Sequence, residues 1–397
     1  MNSLKDKIKS LAQQFSAEAI EIRRHLHKYP ELSMRETQTS LFLSQKLTEY
    51  GIEHQTGIAK TGIVGLIKGQ NPEKKIIALR ADMDALPIVE QNNSEYYSVN
   101  QGIMHACGHD AHMTNLLMAA KILHSLRNEF EGSVKLIFQP SEEQFPGGAS
   151  MMIAEGVLEN PKPQHILGQH VLPTLEAGKV GLKPGQYMAS TDEIYLTVKG
   201  KGGHAATPEL NIDPVVIASH IVVALQQIVS RYGKANIPTV LSFGRMIADG
   251  RTNIIPDTVK LDGTLRTFDE TWRAEAHKRI ESIAKGIAQG MGGNCEVFID
   301  KGYPFLVNDD VLTQRTKEKA IEYLGKENVV DLDLRMTAED FAYFSQQVPS
   351  CFYRLGTMNP ETNVVTNLHT STFDIDETSL TTGMGLMAWL AIEELKY

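Results

Sequence analysis

His105-Ala106-Cys107-Gly108-His109-Asp110-Ala111-His112 sets three imidazoles and a thiol within eight residues, and Met113 to Leu126 follows as a run that is apolar almost throughout and free of Gly and Pro. The run predicts a buried helix whose N-terminus carries the cluster. His105 and His109 stand at i, i+4 and His109 and His112 at i, i+3, so a helical start groups some of these rings, while Gly108 permits a tight turn between Cys107 and His109. Imidazole and thiolate together form a donor set for a first-row metal ion. Satisfied loop histidines are the plainer reading, and they explain one such residue more readily than a cluster.

Outward from the cluster, apolar strands alternate with helical stretches up to about residue 185. Helices are expected from Ser16 to Lys28 and Glu36 to Tyr50, and strands from Ile63 to Lys68 and Ile76 to Arg80. After the cluster come a strand from Ser133 to Gln139, a helix from Gly148 to Glu155 and a strand from Gln164 to Val171, which His170 nearly closes. Asp82 and Asp84, then Glu142 and Glu143, follow strand ends, where an α/β sheet places its ligands. The texture changes near Lys183-Pro184-Gly185. Strand Glu193 to Lys199, helix Asp213 to Tyr232, strands Thr239 to Phe243 and Asp257 to Thr267, helix Asp269 to Met291 and strand Cys295 to Asp300 give β-α-β-β-α-β, the ferredoxin-like order of a small α+β domain. From Tyr303 the α/β texture resumes, with helices Leu312 to Leu324 and Ala338 to Gln347 and a strand near Cys351 to Leu355. The expected organisation is an α/β domain of residues 1–186 and 302–397 interrupted by an inserted domain of residues 187–301. No internal repeat or low-complexity tract is visible.

Composition narrows the function without naming it. With 397 residues, 42% hydrophobic and 22% charged, the chain is long enough for two domains. A net charge of −9 and dispersed Lys and Arg oppose a polyanionic partner, so nucleic acid is not expected. Met1 to Ser16 reads as an exposed helix rather than a signal peptide, and no stretch approaches membrane-spanning length. A cytoplasmic protein without a membrane partner is therefore expected. Cys107, Cys295 and Cys351 are too few to suggest a disulfide framework, which leaves Cys107 available as a thiolate.

Gln139-Pro140-Ser141-Glu142-Glu143 adds a second chemical feature. Adjacent carboxylates after a strand point in different directions and can take different tasks, one binding metal and the other moving protons. Alone, the pair would read as a solvated acidic loop. Beside the cluster it does not.

These segments resemble the M20 metallopeptidase family, in particular its amidohydrolase branch of N-acyl-amino-acid, hippurate and auxin-conjugate hydrolases. The resemblance spans nearly the whole chain. It rests on Arg23-Arg24-His25-Leu26-His27 with Pro30-Glu31-Leu32, Arg80 to Pro87, His105 to His112, Gln139 to Glu143, Gly168-Gln169-His170, Gly200 to Ala206, Asp213-Pro214, Asn253 to Pro256, Gly263 to Arg266 and His369. It implies a metallopeptidase-type catalytic domain, an inserted lid or dimerisation domain, a homodimer and two divalent ions, Zn²⁺, Mn²⁺ or Co²⁺. It also implies a metal set of Cys107, His109, Glu143, His170 and His369, with Glu142 as general base and acid. In the wider family an Asp bridges the metals and a His stands two residues before an Asp; here Cys107 takes the bridging position and Asp82 stands where that His would. Asp82 is accordingly given no ligand role, and Asp84 is expected to orient a ligand imidazole. His105 and His112 are expected to support the site rather than ligate.

The resemblance further implies that His204 reaches into the partner subunit's site to stabilise an oxyanion, and that Asn253 and Arg266 contact the substrate's free carboxylate. Gly200 to Gly203 lacks the spacing and Lys-Ser/Thr ending of a phosphate loop. The expected reaction is hydrolysis of the amide in an N-acyl amino acid or short peptide. A thiol hydrolase using Cys107 with His109 and Asp110 has the right residue types but leaves Glu142, Glu143, His170 and His369 unexplained. A non-catalytic metal-binding or redox-sensing protein leaves Glu142 without a task.

Overall fold

The computed structural model describes residues 3–359, 361 and 366–397. The chain divides into two compact units, one of Met1–Tyr187, Val307–Leu334 and Asp340–Tyr397, the other of Met188–Leu306 and Arg335–Glu339.

The first unit is built on an eight-stranded sheet in the order Glu53–Ile58, Gly62–Lys68, Ser133–Gln139, Ile76–Asp82, His165–Glu176, Ser350–Met358, Val180–Leu182, Val329–Asp331. Ser133–Gln139, Ile76–Asp82, His165–Glu176 and Ser350–Met358 run parallel to one another. Ile76–Asp82 and Ser133–Gln139 are buried at every residue, which is why neither reads as an alternating apolar-polar strand. The helix His109–Ser125 is buried continuously from His109 to Ala120 and anchors the core of this unit. Its entry depends on Gly108: φ is 87°, and a Cβ there would lie 2.5 Å from Val171 Cγ2.

Three expectations change in this unit. Leu4–Gln14 is helical but not wholly exposed, because Ile8 and Ala12 enter the core. The strand through His170 does not stop at Val171; it continues to Glu176 because Ser350–Met358 keeps pairing beside it, with His170 opposite Arg354. The helix expected from Ala338 to Gln347 shrinks to Ala342–Ser345. At its start the Asp340 carboxylate accepts bonds from Arg80, Gln139 and the Ala149 amide at 2.7–3.0 Å, and these tertiary bonds override local propensity.

The second unit has a four-stranded antiparallel sheet in the order Thr239–Ile247, Thr258–Thr267, Asp192–Lys199, Asn294–Lys301, with the helices Pro214–Leu225 and Glu270–Gly290 packed into its core. This is the ferredoxin-like strand order. Asp213 starts the first helix by accepting from the Val215 and Val216 amides at 2.8 and 3.3 Å. The α-helix ends at Leu225 and the wider π turn Ile228–Tyr232 continues it, so the single long helix expected there is divided. Pro214–Tyr232 together spans 19 residues and is long and apolar enough to cross a membrane by length and composition, which corrects the expectation that no stretch reaches that length. One of its faces, Ile217, Ala218, Ile221, Leu225 and Ile228, packs in the core of this unit.

Candidate metal centre

Beyond the carboxyl ends of the parallel strands, the first unit gathers Cys107, His109, Glu142, Glu143, His170 and His369. Two donor triads share Cys107: Cys107, His109 and His170 in one, Cys107, Glu143 and His369 in the other, the donor atoms of each lying within 4.8 Å of one another. His109, Glu142 and Glu143 form a further such group.

The imidazoles are oriented by their other nitrogen. His109 Nδ1 lies 2.8 Å from the Asp84 carbonyl oxygen and His170 Nδ1 2.8 Å from the Val171 carbonyl oxygen, so each carries its proton on Nδ1 and turns the Nε2 lone pair inward. His170 Nε2 stands 3.5 Å from Cys107 Sγ. His109 Nε2 is buried without a hydrogen-bond partner, as is Glu143 Oε1, which lies 3.2 Å from His369 Nε2 outside hydrogen-bonding geometry. Buried lone pairs facing one another unpaired are costly, and a cation between them removes that cost. The surrounding charge favours a positive charge at two of the imidazoles, as a ring proton or as a bound cation in its place. Cys107 and Glu143 push the His369 pKa up to about 10. Burial opposes charge on His109, yet Asp82 and Cys107 hold its pKa well above the ordinary imidazole value. Burial, then the Arg354 charge, hold His170 well below that value, as suits a neutral ligand. The donor set fits a cation.

The backbone around these donors is constrained. His369 sits at φ 61° and Ser141 at φ 52°, both left-handed. The His369 amide is bonded to the Ala106 carbonyl at 2.8 Å, which ties its loop to the segment before Cys107. Asp84 accepts from the Glu142 amide through Oδ1 and the Glu143 amide through Oδ2, each at 2.9 Å, and from Ser33 Oγ at 2.6 Å. Asp84 therefore orients His109 and the carboxylate pair together. The Asp340 amide reaches Glu142 Oε1 at 3.4 Å.

His112 is occupied on both nitrogens: Nδ1 is 2.6 Å from Asp82 Oδ1, and Nε2 accepts from the Val171 amide at 2.9 Å. Asp82 also binds Arg80 at 2.6 Å, and Arg80 in turn holds Gln139 and Asp340. His105 is buried with both ring nitrogens unpartnered, and burial pushes its pKa down to about 3. Asp110 faces away from the donors, toward Arg23 at 2.9 Å and His27 at 2.7 Å. Burial and Glu143 raise the Cys107 pKa, opposite to the shift that activates a free thiol, and a cation beside the sulfur would offset it.

His204, Asn253 and Arg266 belong to the second unit. His204 and Asn253 share a ribbon in which Gly203–His204 pairs with Ile254–Ile255 and the Ala205 amide donates to the Asn253 carbonyl at 3.1 Å. His204 Nδ1 accepts from the Ala206 amide at 3.0 Å, so the neutral ring keeps its proton on Nε2. Arg266 lies in the four-stranded sheet opposite Val240, with Nε 3.2 Å from Thr264 Oγ1.

Residues 78–393 match the model of Peptidase family M20/M25/M40. The chain belongs to this family. It is 41% identical over 306 residues to an N-acyl-L-amino acid amidohydrolase of Geobacillus stearothermophilus, covering 77% of this chain and 82% of that one. It is 36% identical over 393 residues to thermostable carboxypeptidase 1 of Saccharolobus solfataricus, covering 98% of each. Among solved structures, the YXEP protein of Bacillus subtilis, described as a dinuclear metal-binding peptidase from the M20 family, aligns with a TM-score of 0.83 at 34% identity, covering 97% of this chain and 99% of that one. The α/β unit and the ferredoxin-like unit are the expected M20 architecture. Residues of this M20 chain that the sequence did not single out are Glu36, Gln139 as a side chain, and Asp340. Their partners lie far along the chain: Glu36 meets Ser141 across 105 positions and Gln139 meets Asp340 across 201. A carboxylate at a helix start, as at Glu36, reads locally as a cap, and no local signal points elsewhere.

Proposed function

We propose that this M20 protein is a metal-dependent amidohydrolase that cleaves the amide joining an acyl group to an amino acid, or the corresponding bond in a short peptide. The observation that carries this reading is the pair of donor triads sharing Cys107, with Glu142 beside them on a backbone fixed by Asp84. Cys107, His109 and His170 would hold one divalent ion, and Cys107, Glu143 and His369 the other. Such a pair, Zn²⁺, Mn²⁺ or Co²⁺, supplies Lewis acidity to the scissile carbonyl and lowers the pKa of water.

The chain's own residues do the rest. Glu142 takes the proton of the attacking water and returns it to the leaving nitrogen. His204 donates from Nε2, its proton fixed there by the Ala206 amide, to the oxygen that becomes negative. Arg266, with its fork geometry, and Asn253 bind the substrate's free carboxylate. A homodimer formed through the second unit belongs to this reading, supported by the exposed Val216, Val223 and Val229 on the helical segment Pro214–Tyr232. A cytoplasmic location is supported by three cysteines that are all free and buried.

The test is a panel of N-acyl amino acids and dipeptides assayed with protein reconstituted separately with each ion. Glu142→Gln is expected to keep its metal and lose about 10²–10⁴-fold in turnover. Cys107→Ala is expected to lose metal. Near wild-type activity in fully loaded Glu142→Gln, or a trapped acyl-thiol adduct on Cys107, would overturn the reading.

A further inference from the structure

Three consecutive amides leading into the carboxylate pair each donate to a buried carboxylate: Ser141 to Glu36 Oε1, Glu142 to Asp84 Oδ1 and Glu143 to Asp84 Oδ2, all at 2.9 Å. Asp84 explains the last two. The first falls to a residue in no motif of the proposed reaction. Glu36 is fully buried, and both its oxygens are engaged, Oε1 also by the Met34 amide at 3.0 Å and Oε2 by Thr61 Oγ1 at 2.8 Å. Its fixed oxygen holds Ser141 at φ 52°, a conformation that a residue with a Cβ disfavours. On the other side, the Ser141 carbonyl accepts from the Gly148 amide at 2.8 Å.

Ser141 is the hinge between the strand Ser133–Gln139 and the two carboxylates. Were it to relax to right-handed or extended backbone, the chain direction into Glu142 and Glu143 would change, and the two side chains would no longer diverge toward their separate partners. We propose that Glu36 is a positioning residue: by holding Ser141 left-handed, it fixes the directions in which Glu142 and Glu143 point. The inference rests on the reading of Glu142 as the proton carrier.

The experiment compares Glu36→Ala, Glu36→Gln and Glu36→Ala/Ser141→Gly, with Glu142→Gln alongside. The amide side chain introduced by Glu36→Gln keeps an oxygen for the Ser141 amide and has an NH₂ that can donate to the Thr61 hydroxyl. Glycine adopts the left-handed conformation readily. Glu36→Ala is expected to lower kcat about 10- to 100-fold at saturating metal with KM near wild type, and to weaken metal retention because Glu143 is redirected with Glu142, since strain of this kind has to be held by its surroundings. Glu36→Gln should recover most of the loss, and adding Ser141→Gly to Glu36→Ala should recover about 10-fold. In metal-free protein, hydrogen exchange at the Ser141 amide should speed up in Glu36→Ala and stay slow in Glu36→Gln. Wild-type kcat in Glu36→Ala, or no recovery in the Ser141→Gly background, overturns the inference. If Glu36→Ala does not fold, Thr61→Val, which frees Oε2 at constant side-chain size, is expected to lower kcat about threefold to tenfold, and an unchanged kcat overturns the proposal. Activity retained in Glu142→Gln would instead overturn the reading beneath it, so the two failures are distinct.

Discussion

Gly108→Ala tests how the fold holds its donors, because Gly108 separates Cys107 from His109 and faces the residue after His170. Two physical terms contribute. A left-handed φ of 87° costs a residue with a Cβ about 1–2 kcal/mol. The new methyl would lie 2.5 Å from Val171 Cγ2 and 3.4 Å from Phe373 Cζ, and overpacking of this kind costs about 1–3 kcal/mol. The sum, about 2–5 kcal/mol, is a large share of the stability of an ordinary domain. The two terms are separable. Val171→Ala removes the clashing methyl and leaves the backbone strain, so the double variant should be more stable than the sum of the single losses by about 1–3 kcal/mol. Denaturant unfolding of the metal-free proteins measures this coupling, and metal content after reconstitution reports whether Cys107 and His109 still converge. Additive losses, or a Gly108→Ala protein of wild-type stability that binds metal fully, would refute the steric argument.

Two further outcomes are expected. His27 lies 2.7 Å from Asp110 and 3.2 Å from Glu90; burial and Arg23 oppose its charge, but these carboxylates outweigh them and raise its pKa. A raised pKa gives stabilisation that is complete below the ordinary imidazole value of about 6.5 and is lost as pH rises through the folded value, so the stability gap between wild type and His27→Gln should be wider at about pH 6 than at about pH 9. A gap independent of pH would mean that His27 stays neutral. For the proposed dimer, co-refolding Glu142→Gln with His204→Ala should recover about a quarter of wild-type activity per subunit, since half of randomly paired dimers are mixed and each has one complete site. No recovery in verified mixed dimers would place His204 in its own subunit's site or outside catalysis.

The His/Cys cluster and the carboxylate pair were legible because their chemistry is local, whereas His170 and His369 entered the expected donor set only through the family resemblance. Cys107, His109 and the helix that carries them lie in one continuous run, and Glu142 directly precedes Glu143. The central strands were legible because parallel pairing buries both faces and leaves short apolar runs. What stayed hidden depends on tertiary partners. Residues 338–347 have helical composition, but the Asp340 carboxylate is taken by Arg80, Gln139 and the Ala149 amide, and the helix is confined to Ala342–Ser345. The end of the strand through His170 is set by its neighbour Ser350–Met358.

Asp82 shows how the two kinds of information combine. Sequence places it where the wider family has a ligand histidine, and from spacing alone a carboxylate there could ligate in the histidine's stead. The geometry gives its oxygens other work: Oδ1 holds His112 and Oδ2 holds Arg80. His109 Nε2 lies 3.8 Å from Oδ2; it groups with Asp82 and His112 as well as with Cys107 and His170, but in the first set Asp82 and His112 are already bonded to each other and Asp82 to Arg80. An imidazole from the start of a buried helix thus stands in a donor triad while the strand-end position has become an anchor. His112, fixed by Asp82 on one nitrogen, receives the Val171 amide on the other, and this holds the backbone immediately after His170. Substitution at Asp82 should therefore disturb the setting of His170 before it alters the number of donors.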